Sequence, residues 1–136
     1  RIGMLAVAVF LAALIAAPAF PEEEIARISQ KEMKDMIDKG ADVVIVDNRP
    51  GIDYDQQHIE GALSLPWDMD ITVQARKILP KDNLIVTYCD CGPGESDSAD
   101  VAGQLVRAGF KNVKTLADGW SSWLDAGLPV EKGKRK

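Results

Sequence analysis

Hydrophobic residues along the chain form short continuous runs that are separated by polar turns. The run Val43-Val44-Ile45-Val46 is β-branched throughout, and Leu84-Ile85-Val86-Thr87-Tyr88 is apolar or β-branched. Uninterrupted runs of this kind are typical of strands buried on both faces of a parallel sheet. A further strand is predicted at Val113–Leu116, and a brief one that a proline ends at residues 61–66.

The segments between these runs have helical spacing. Ser29 and Glu32 fit a capping box, which predicts a helix from there to Gly40, a natural C-cap. A second helix is predicted from about Ser98 to Gly109. Shorter helices are predicted at residues 53–57, at residues 71–79 and around Trp120 and Trp123. Because strands alternate with helices without repeats or a linker, the pattern predicts one α/β domain with a mainly parallel sheet.

The first residues have a different pattern. Arg1 is followed by an uncharged apolar run up to Ala17, and then by the small-x-small triplet Ala17-Pro18-Ala19. These are the three parts of a secretory signal peptide, so we expect residues 1–19 to be cleaved near Ala19. An uncleaved membrane anchor is the alternative, but the run is barely long enough to span a bilayer and ends in proline. The expected location is periplasmic or secreted, where cysteines can be oxidised.

Composition limits the remaining possibilities. The chain has 136 residues, of which 46% are hydrophobic and 27% charged, enough for one domain with its own core. Its net charge of −5 argues against nucleic acid or an anionic membrane surface as the main partner. The predicted organisation is a signal peptide at 1–19, an acidic lead at 20–27, the folded domain at 28–130 and a basic tail at 131–136.

The candidate chemistry lies in the segment Tyr88-Cys89-Asp90-Cys91-Gly92-Pro93-Gly94-Glu95-Ser96. Cys89 directly follows a buried strand and precedes a helix, and ligands of open α/β sheets bind beyond the carboxyl ends of strands. Backbone N–H groups of a Gly- and Ser-rich loop, with the positive end of the next helix, favour an anion or a thiolate. Cys89 therefore has the setting of a nucleophile that attacks sulfur or phosphorus or carries a persulfide. The alternative is a small buried residue that ends a strand.

Cys91 leaves more alternatives open. The one-residue spacing is too short for an ordinary unstrained disulfide, so a bond to Cys89 would be strained and reducible. A closed zinc site is not expected because His58 is the single histidine and no second cysteine pair exists. Cys91 is either a resolving thiol that shares the chemistry of Cys89 or a loop residue.

The ordered set of motifs resembles a single-domain rhodanese, a sulfurtransferase-type domain. The likeness covers residues 28–130 and rests on pieces that stand in the family's order: Asp47-Asn48-Arg49, which resembles its D-x-R turn; Tyr54 with His58-Ile59-Glu60-Gly61-Ala62, which resembles its H-I-x-G-A signature; the strand into Cys89; Gly109-Phe110-Lys111-Asn112-Val113; Asp118-Gly119-Trp120 with Trp123; and Gly127-Leu128-Pro129-Val130. The resemblance implies a five-stranded, mainly parallel sheet flanked by helices.

The resemblance also implies the roles of single residues. Cys89 becomes the catalytic nucleophile that holds a sulfane sulfur as a persulfide, without a cofactor or a metal. The backbone of the loop around it becomes the substrate cradle, at Asp90, Cys91, Gly92, Gly94, Glu95 and Ser96. In the family the histidine that matches His58 is structural, and a general base is the less favoured interpretation. Asp47 and Arg49 are expected to form hydrogen bonds and an ion pair at the end of the sheet.

The loop departs from the family pattern in its charges. Gly94 and Glu95 stand where a basic residue is expected, and acids lie nearby at Asp90, Asp97 and Asp100. Acids close to the site oppose both an anionic donor and a Cys89 thiolate. The absent Arg also counts against a cysteine phosphatase, whose loop needs one for the phosphoryl group.

Three hypotheses follow. The first is an exported sulfurtransferase or sulfane-sulfur carrier that takes sulfur from a small donor onto Cys89 and passes it to a thiol, sulfite, cyanide or a protein partner. The second is a rhodanese-like binding module with little turnover, suggested by the acidic loop. The third is a thiol redox element in which Cys89 and Cys91 cycle between dithiol and disulfide.

Overall fold

The structure is a computed structural model that describes residues 24–133. The predicted signal peptide at residues 1–19 lies outside the described residues, as do 20–23 and 134–136. The elements are β1 Arg27–Ile28, α1 Gln30–Asp38, β2 Val43–Asp47, α2 Gly51–Gln56, β3 His58–Ile59, β4 Leu63–Ser64, α3 Thr72–Ile78, β5 Leu84–Tyr88, α4 Ser96–Arg107, β6 Val113–Leu116, α5 Gly119–Asp125 and β7 Val130–Glu131. No helix among the described residues is long and apolar enough to cross a bilayer.

The main sheet has five strands in the order β1-β6-β5-β2-β4, and every neighbouring pair is parallel. This confirms the predicted five-stranded parallel sheet flanked by helices. The two longest strands, β2 and β5, lie side by side in its centre, and all five residues of β5 are buried. The continuous apolar runs follow from this position, since helices cover both faces of the central strands.

Each face of the sheet has its own core. Leu84, Val86 and Tyr88 of β5 pack on one face with residues of α1, α2 and α5, among them Met33, Tyr54, Trp120 and Trp123. Ile85 points to the other face, where α3 and α4 contribute Ala75, Val101, Ala102 and Leu105. The alternation along β5 follows from the two-residue period of a strand.

The Ser29 half of the predicted capping box at the start of α1 is confirmed. The hydroxyl of Ser29 accepts a hydrogen bond from the N–H of Glu32 at 3.1 Å. Gly40 follows the C-terminal end of α1 with φ of +77°, a left-handed conformation that favours glycine. Helix α4 begins at Ser96, two residues before the predicted start at Ser98.

Two short pairings were not predicted from the pattern. β1 pairs with β6 at the sheet edge, and β3 pairs with β7 in a separate antiparallel ribbon. Two-residue strands carry no detectable periodicity, so only long-range contacts define them. The described strands therefore include Arg27 in β1 and Glu131 in β7. Each of these residues lies one position outside the predicted domain bounds of 28–130.

Candidate active site

The carboxyl ends of β2 and β5 bring the predicted chemistry together. Asp47 is the register partner of Tyr88, and the N–H of Asn48 donates to the carbonyl oxygen of Tyr88 at 2.8 Å. Cys89 and Arg49 come shortly after these positions and open into one cleft. The cleft has a volume of about 500 Å³, and its lining residues are Arg49, Pro50, Asp53, Gln56, Gln57, Cys89, Asp90, Cys91, Asp97, Trp120, Leu124 and Lys132.

Cys89 and Cys91 are joined in a disulfide, so the described part of the chain has no free thiol. Their Cα atoms lie 5.6 Å apart, which is within the usual range for disulfides. The spacing alone left the role of Cys91 open, and the bent loop brings its sulfur onto that of Cys89. The side chain of Cys89 is buried and that of Cys91 is half-buried. In this state both sulfurs are occupied, and nucleophilic chemistry needs the reduced form.

Ser98 is a polar contact of Cys89 that lies just beyond the predicted loop residues. Its hydroxyl oxygen is 3.4 Å from the sulfur of Cys89, and the Ser98 side chain is fully buried. The same oxygen lies 3.2 Å from the carbonyl oxygen of Glu95 and 2.8 Å from the hydroxyl of Thr115. A buried hydroxyl at this position can donate to a Cys89 thiolate. The sequence signal was its place in the first turn of the helix after the cysteine.

The first residues of α5 hold the backbone of Cys89. The N–H of Trp120 donates to the carbonyl oxygen of Cys89 at 2.9 Å. Gly119 has φ of +59°, and a β carbon at this position would lie 2.3 Å from that same oxygen. Only glycine allows so close an approach. The Asp118-Gly119-Trp120 motif therefore positions the cysteine.

Arg49 supplies a cation that the cysteine loop itself lacks. Its Nε and Nη2 atoms bind both carboxylate oxygens of Asp47 at 2.7 to 3.2 Å, and Nη2 also donates to the carbonyl oxygen of Gln57 at 2.7 Å. The predicted Asp47–Arg49 ion pair is confirmed. The guanidinium carbon lies 4.1 Å from the ring centre of Trp120, a cation–π contact. Arg49 also lines the cleft, a position that its place in the sequence did not reveal.

Arg49 keeps its positive charge. Burial lowers the pKa of its guanidinium, but the hydrogen bonds and the charge of Asp47 outweigh burial and raise the pKa above its ordinary value. Burial raises the pKa of the neighbouring Tyr88, and the charge of Asp47 raises it further. The Tyr88 hydroxyl donates to Asp47 and accepts from the N–H of Ile59. This end of the sheet thus holds the Arg49–Asp47 ion pair and a neutral phenol.

Glu95 is not among the residues that line the cleft. Its carboxylate accepts hydrogen bonds from Nη2 of Arg27 at 2.6 Å and from the N–H of Asp118 at 2.9 Å. Glu95 is buried and has φ of +48° as the residue before α4. The carboxylate therefore fastens the loop to β1 and to the start of α5, and its charge is compensated by Arg27.

The other predicted loop residues divide into two groups. Asp90 and Cys91 line the cleft with Cys89, and Asp90 also accepts a hydrogen bond from the Ser121 hydroxyl at 2.7 Å. Gly92, Gly94 and Ser96 are exposed and are not among the lining residues. Of the acids that were expected to oppose an anion, Asp90 and Asp97 line the cleft, while Asp100 accepts from Trp67 and Gln104. Positive charge from Arg49 and Lys132 thus faces negative charge from Asp53, Asp90 and Asp97.

His58 has structural contacts. Its ring stacks on Tyr54 with centres 3.7 Å apart. Its Nδ1 lies 2.7 Å from the carbonyl oxygen of Tyr54, and its Nε2 lies 3.1 Å from the Glu131 carboxylate. The imidazole is buried and is not among the residues that line the cleft. These contacts support the structural interpretation, in which His58 ties α2 to β7.

The fold and the site together define an α/β protein with a disulfide-bonded cysteine pair at the carboxyl edge of a parallel sheet. A model of the rhodanese-like domain matches residues 29–126, and the chain belongs to this family. A variant C-x-C sequence occupies its active-site loop.

Known proteins agree with this assignment. The chain is 33% identical over 97 residues to the thiosulfate sulfurtransferase GlpE of Coxiella burnetii, which covers 71% of this chain and 85% of that protein. It is 35% identical over 96 residues to the thiosulfate sulfurtransferase YnjE of Escherichia coli K12, which covers 65% of this chain and 21% of that protein. The chain spans about a quarter or less of the longer curated relatives it matches. The crystal structure of the BH2092 protein from Bacillus halodurans has a TM-score of 0.71 at 29% identity, covering 79% of this chain and 77% of that chain.

Proposed function

We propose that the protein is an exported sulfurtransferase or sulfane-sulfur carrier that holds the transferred sulfur as a persulfide on Cys89. The observation that carries the proposal is the position of Cys89, which opens into the cleft at the end of β5 beside Arg49. Relatives that are named as thiosulfate sulfurtransferases support the reaction class.

The chemistry is a double displacement. In the reduced protein the Cys89 thiolate attacks the sulfane sulfur of the donor, a new S–S bond forms, and the donor's own S–S bond breaks. The remainder of the donor leaves with the electron pair, as sulfite when the donor is thiosulfate. An acceptor nucleophile, such as a thiol, sulfite or cyanide, then takes the outer sulfur and Cys89 leaves as a thiolate. The Ser98 hydroxyl oxygen lies 3.4 Å from the Cys89 sulfur and donates to the Glu95 carbonyl oxygen in the disulfide state. In the reduced protein a rotation of this hydroxyl turns its proton to the Cys89 thiolate and stabilises it.

The charges of the cleft affect how an anionic donor binds. Lys132 attracts an anion and Asp53, Asp90 and Asp97 oppose it. The charge of Arg49 is largely compensated by its ion pair with Asp47. Because the loop acid Glu95 is paired with Arg27, the opposing charge is smaller than the loop sequence suggests. The described lining thus carries more negative than positive charge, so we expect an anionic donor to bind more tightly as added salt screens the acids.

Mass spectrometry of the reduced protein after treatment with thiosulfate or a polysulfide tests the proposal. The expected product is a mass increase of one sulfur atom, located on Cys89 by peptide mapping. Cys89→Ser is the negative control, and Cys91→Ser, which keeps the nucleophile, should retain the modification. No added sulfur on Cys89 in either the parent protein or Cys91→Ser, under any donor, would refute the proposal.

The disulfide between Cys89 and Cys91 favours a second candidate, a thiol redox element that cycles between dithiol and disulfide. Equilibration in glutathione redox buffers, followed by thiol alkylation and mass spectrometry, measures that cycle. A pair that stays reduced in a mildly oxidising buffer would remove this candidate. The binding-module alternative predicts full function of Cys89→Ser, whereas loss of function supports chemistry at the thiol.

Export is part of the proposal and rests on the apolar leader pattern at residues 1–19. The periplasm or the extracellular space would also allow the Cys89–Cys91 disulfide to persist. N-terminal sequencing of the protein recovered outside the cytoplasm should begin just after Ala19. A first residue within 1–17 on the exported protein would contradict cleavage at that site.

A further inference from the structure

We propose that Cys91 resolves the persulfide on Cys89 within the same chain and releases the transferred sulfur as sulfide. This inference rests on the proposed persulfide on Cys89. It gives the protein a further activity, the reduction of sulfane sulfur, and it assigns Cys91 as a second reacting residue. The Cys89–Cys91 disulfide of the structure is the state that this step produces.

The positions of the two sulfurs carry the inference. Because they are bonded in the structure, the loop conformation places Cys91 Sγ within bonding reach of Cys89 Sγ. Attack by Cys91 on Cys89 Sγ, the inner sulfur of the persulfide, expels the outer sulfur as HS⁻. An external acceptor instead has to reach the outer sulfur through the cleft. An intramolecular thiol has a high effective concentration, so it competes well with acceptors in solution. The glycines at 92 and 94 adopt positive φ values of +71° and +98°, which lets the loop bend at this point.

The step balances in atoms and electrons. The Cys91 thiol passes its proton to the outer sulfur of the persulfide, and the resulting Cys91 thiolate attacks Cys89 Sγ. The Cys89–Cys91 S–S bond forms, and the bond between Cys89 Sγ and the outer sulfur breaks. The outer sulfur leaves with the electron pair as HS⁻, so the sulfane sulfur is reduced by two electrons and the two cysteines are oxidised to a disulfide. The anion departs into the cleft, whose charged lining residues are Arg49, Asp53, Asp90, Asp97 and Lys132.

Turnover then needs a dithiol reductant, such as a protein with a reactive cysteine pair or a small dithiol. Cys89 is only 2% exposed, while Cys91 is half-buried at the cleft, so the reductant reaches Cys91. A thiolate of the reductant attacks Cys91 Sγ, and Cys89 leaves as a thiolate next to Ser98. The second thiol of the reductant then releases Cys91. This order of attack releases the nucleophile Cys89 before it releases Cys91.

A single-turnover experiment tests the proposal. The reduced protein, freed of reductant, is mixed with thiosulfate at a one-to-one ratio, and sulfide, thiol content and mass are followed over time. The parent protein should release sulfide in a one-to-one ratio to chain and end as the Cys89–Cys91 disulfide. Cys91→Ser should form a stable persulfide on Cys89 without sulfide. Cys89→Ser should do neither.

The outcomes separate the two proposals. A parent protein that keeps its Cys89 persulfide without releasing sulfide would overturn the resolving role of Cys91 and leave the sulfurtransferase proposal intact. Extra sulfur found on Cys91 without sulfide release would likewise overturn the resolving role alone. Absence of a persulfide on Cys89 even in Cys91→Ser would refute the proposed function itself. With excess thiosulfate and a small dithiol present, the parent protein should release sulfide continuously, and Cys91→Ser should be slower by about tenfold or more, which corresponds to about 1.4 kcal/mol.

Discussion

Gly119 touches the backbone of Cys89 so closely that a β carbon on Gly119 would lie 2.3 Å from the Cys89 carbonyl oxygen. The next residue, Trp120, donates its N–H to the same oxygen at 2.9 Å. The cysteine is therefore positioned from two sides, by the strand β5 that precedes it and by the start of α5, thirty residues further along the chain.

Gly119→Ala should displace the Cys89 backbone and reduce persulfide formation. The left-handed backbone costs about 1–2 kcal/mol for a residue with a β carbon, and the steric conflict adds about 1–3 kcal/mol. Gly127→Ala is the matched control, because Gly127 has φ of +66° and no atom within 4 Å of an added β carbon. Denaturant unfolding and persulfide mass spectrometry should show a larger loss for Gly119→Ala on both readouts. Equal losses for the two variants would contradict the role given to the Gly119–Cys89 contact.

Asp97 and Glu95 are acids close in sequence that should respond differently to neutralisation. Asp97 lines the cleft, so Asp97→Asn should raise the rate with thiosulfate roughly two- to threefold, since one unit charge several ångström away in water is worth about 0.5 kcal/mol. Glu95→Gln should leave that rate unchanged but lower the free energy of unfolding, because the ion pair with Arg27 is lost. Arg27 is half exposed, so the loss should be about 1 kcal/mol. Initial rates at low and high salt, with denaturant unfolding of both variants, measure these effects. A rate increase for Glu95→Gln would place its charge in the cleft after all.

The Asp47–Arg49 pair should show strong coupling. Both side chains are buried, so Arg49→Met leaves the Asp47 carboxylate without its cation and should cost about 3–5 kcal/mol of unfolding free energy. The double variant Asp47→Asn, Arg49→Met should lose less than the sum of the two single variants, because no buried charge is left unpaired. Denaturant unfolding of the three variants measures the coupling. Additive losses would mean that the two side chains act independently.

Tyr88 should make the protein less stable at high pH. The native state holds the phenol proton more tightly than the unfolded chain, whose tyrosine titrates near the ordinary pKa of 10.0. The contribution is complete below pH 10.0 and declines as the pH rises above it, by at most about 1.4 kcal/mol per pH unit. Tyr88→Phe removes this proton, so its unfolding free energy should fall less between about pH 9 and about pH 11 than that of the parent protein. Parallel slopes for the two proteins would contradict a raised pKa for Tyr88. Exposed lysines affect both proteins alike and cancel in the comparison.

Several features were open to prediction because their signals are local. The apolar runs at residues 43–46 and 84–88 predict buried parallel strands, and Ser29 with Gly40 marks the ends of α1. Cys89 could be placed at a sheet's carboxyl end because a strand precedes it and a helix follows. These features depend on backbone geometry and on the period of hydrophobic positions, which a short stretch of chain contains in full.

The charge of the cleft could not be predicted from residues that are neighbours in the sequence. Sequence neighbours suggested an acidic loop without a cation, whereas the structure brings in Arg49 from the adjacent strand end and Lys132 from beyond β7. Glu95 lies in the loop by sequence, yet its carboxylate is bound to Arg27, 68 positions away. The choice among a disulfide, a resolving thiol and a loop residue at Cys91 likewise depended on the bend of the loop.

The sequence by itself thus determined the fold, the strand that ends in Cys89 and the helix that follows it. Only the tertiary structure decided which charges face the Cys89 sulfur, which residues hold the Cys89 backbone, and that Cys91 is bonded to Cys89. The physical reason is that hydrophobic periodicity is written into consecutive residues, while a site at the edge of a parallel sheet is assembled from strand ends and loops that are distant in the chain.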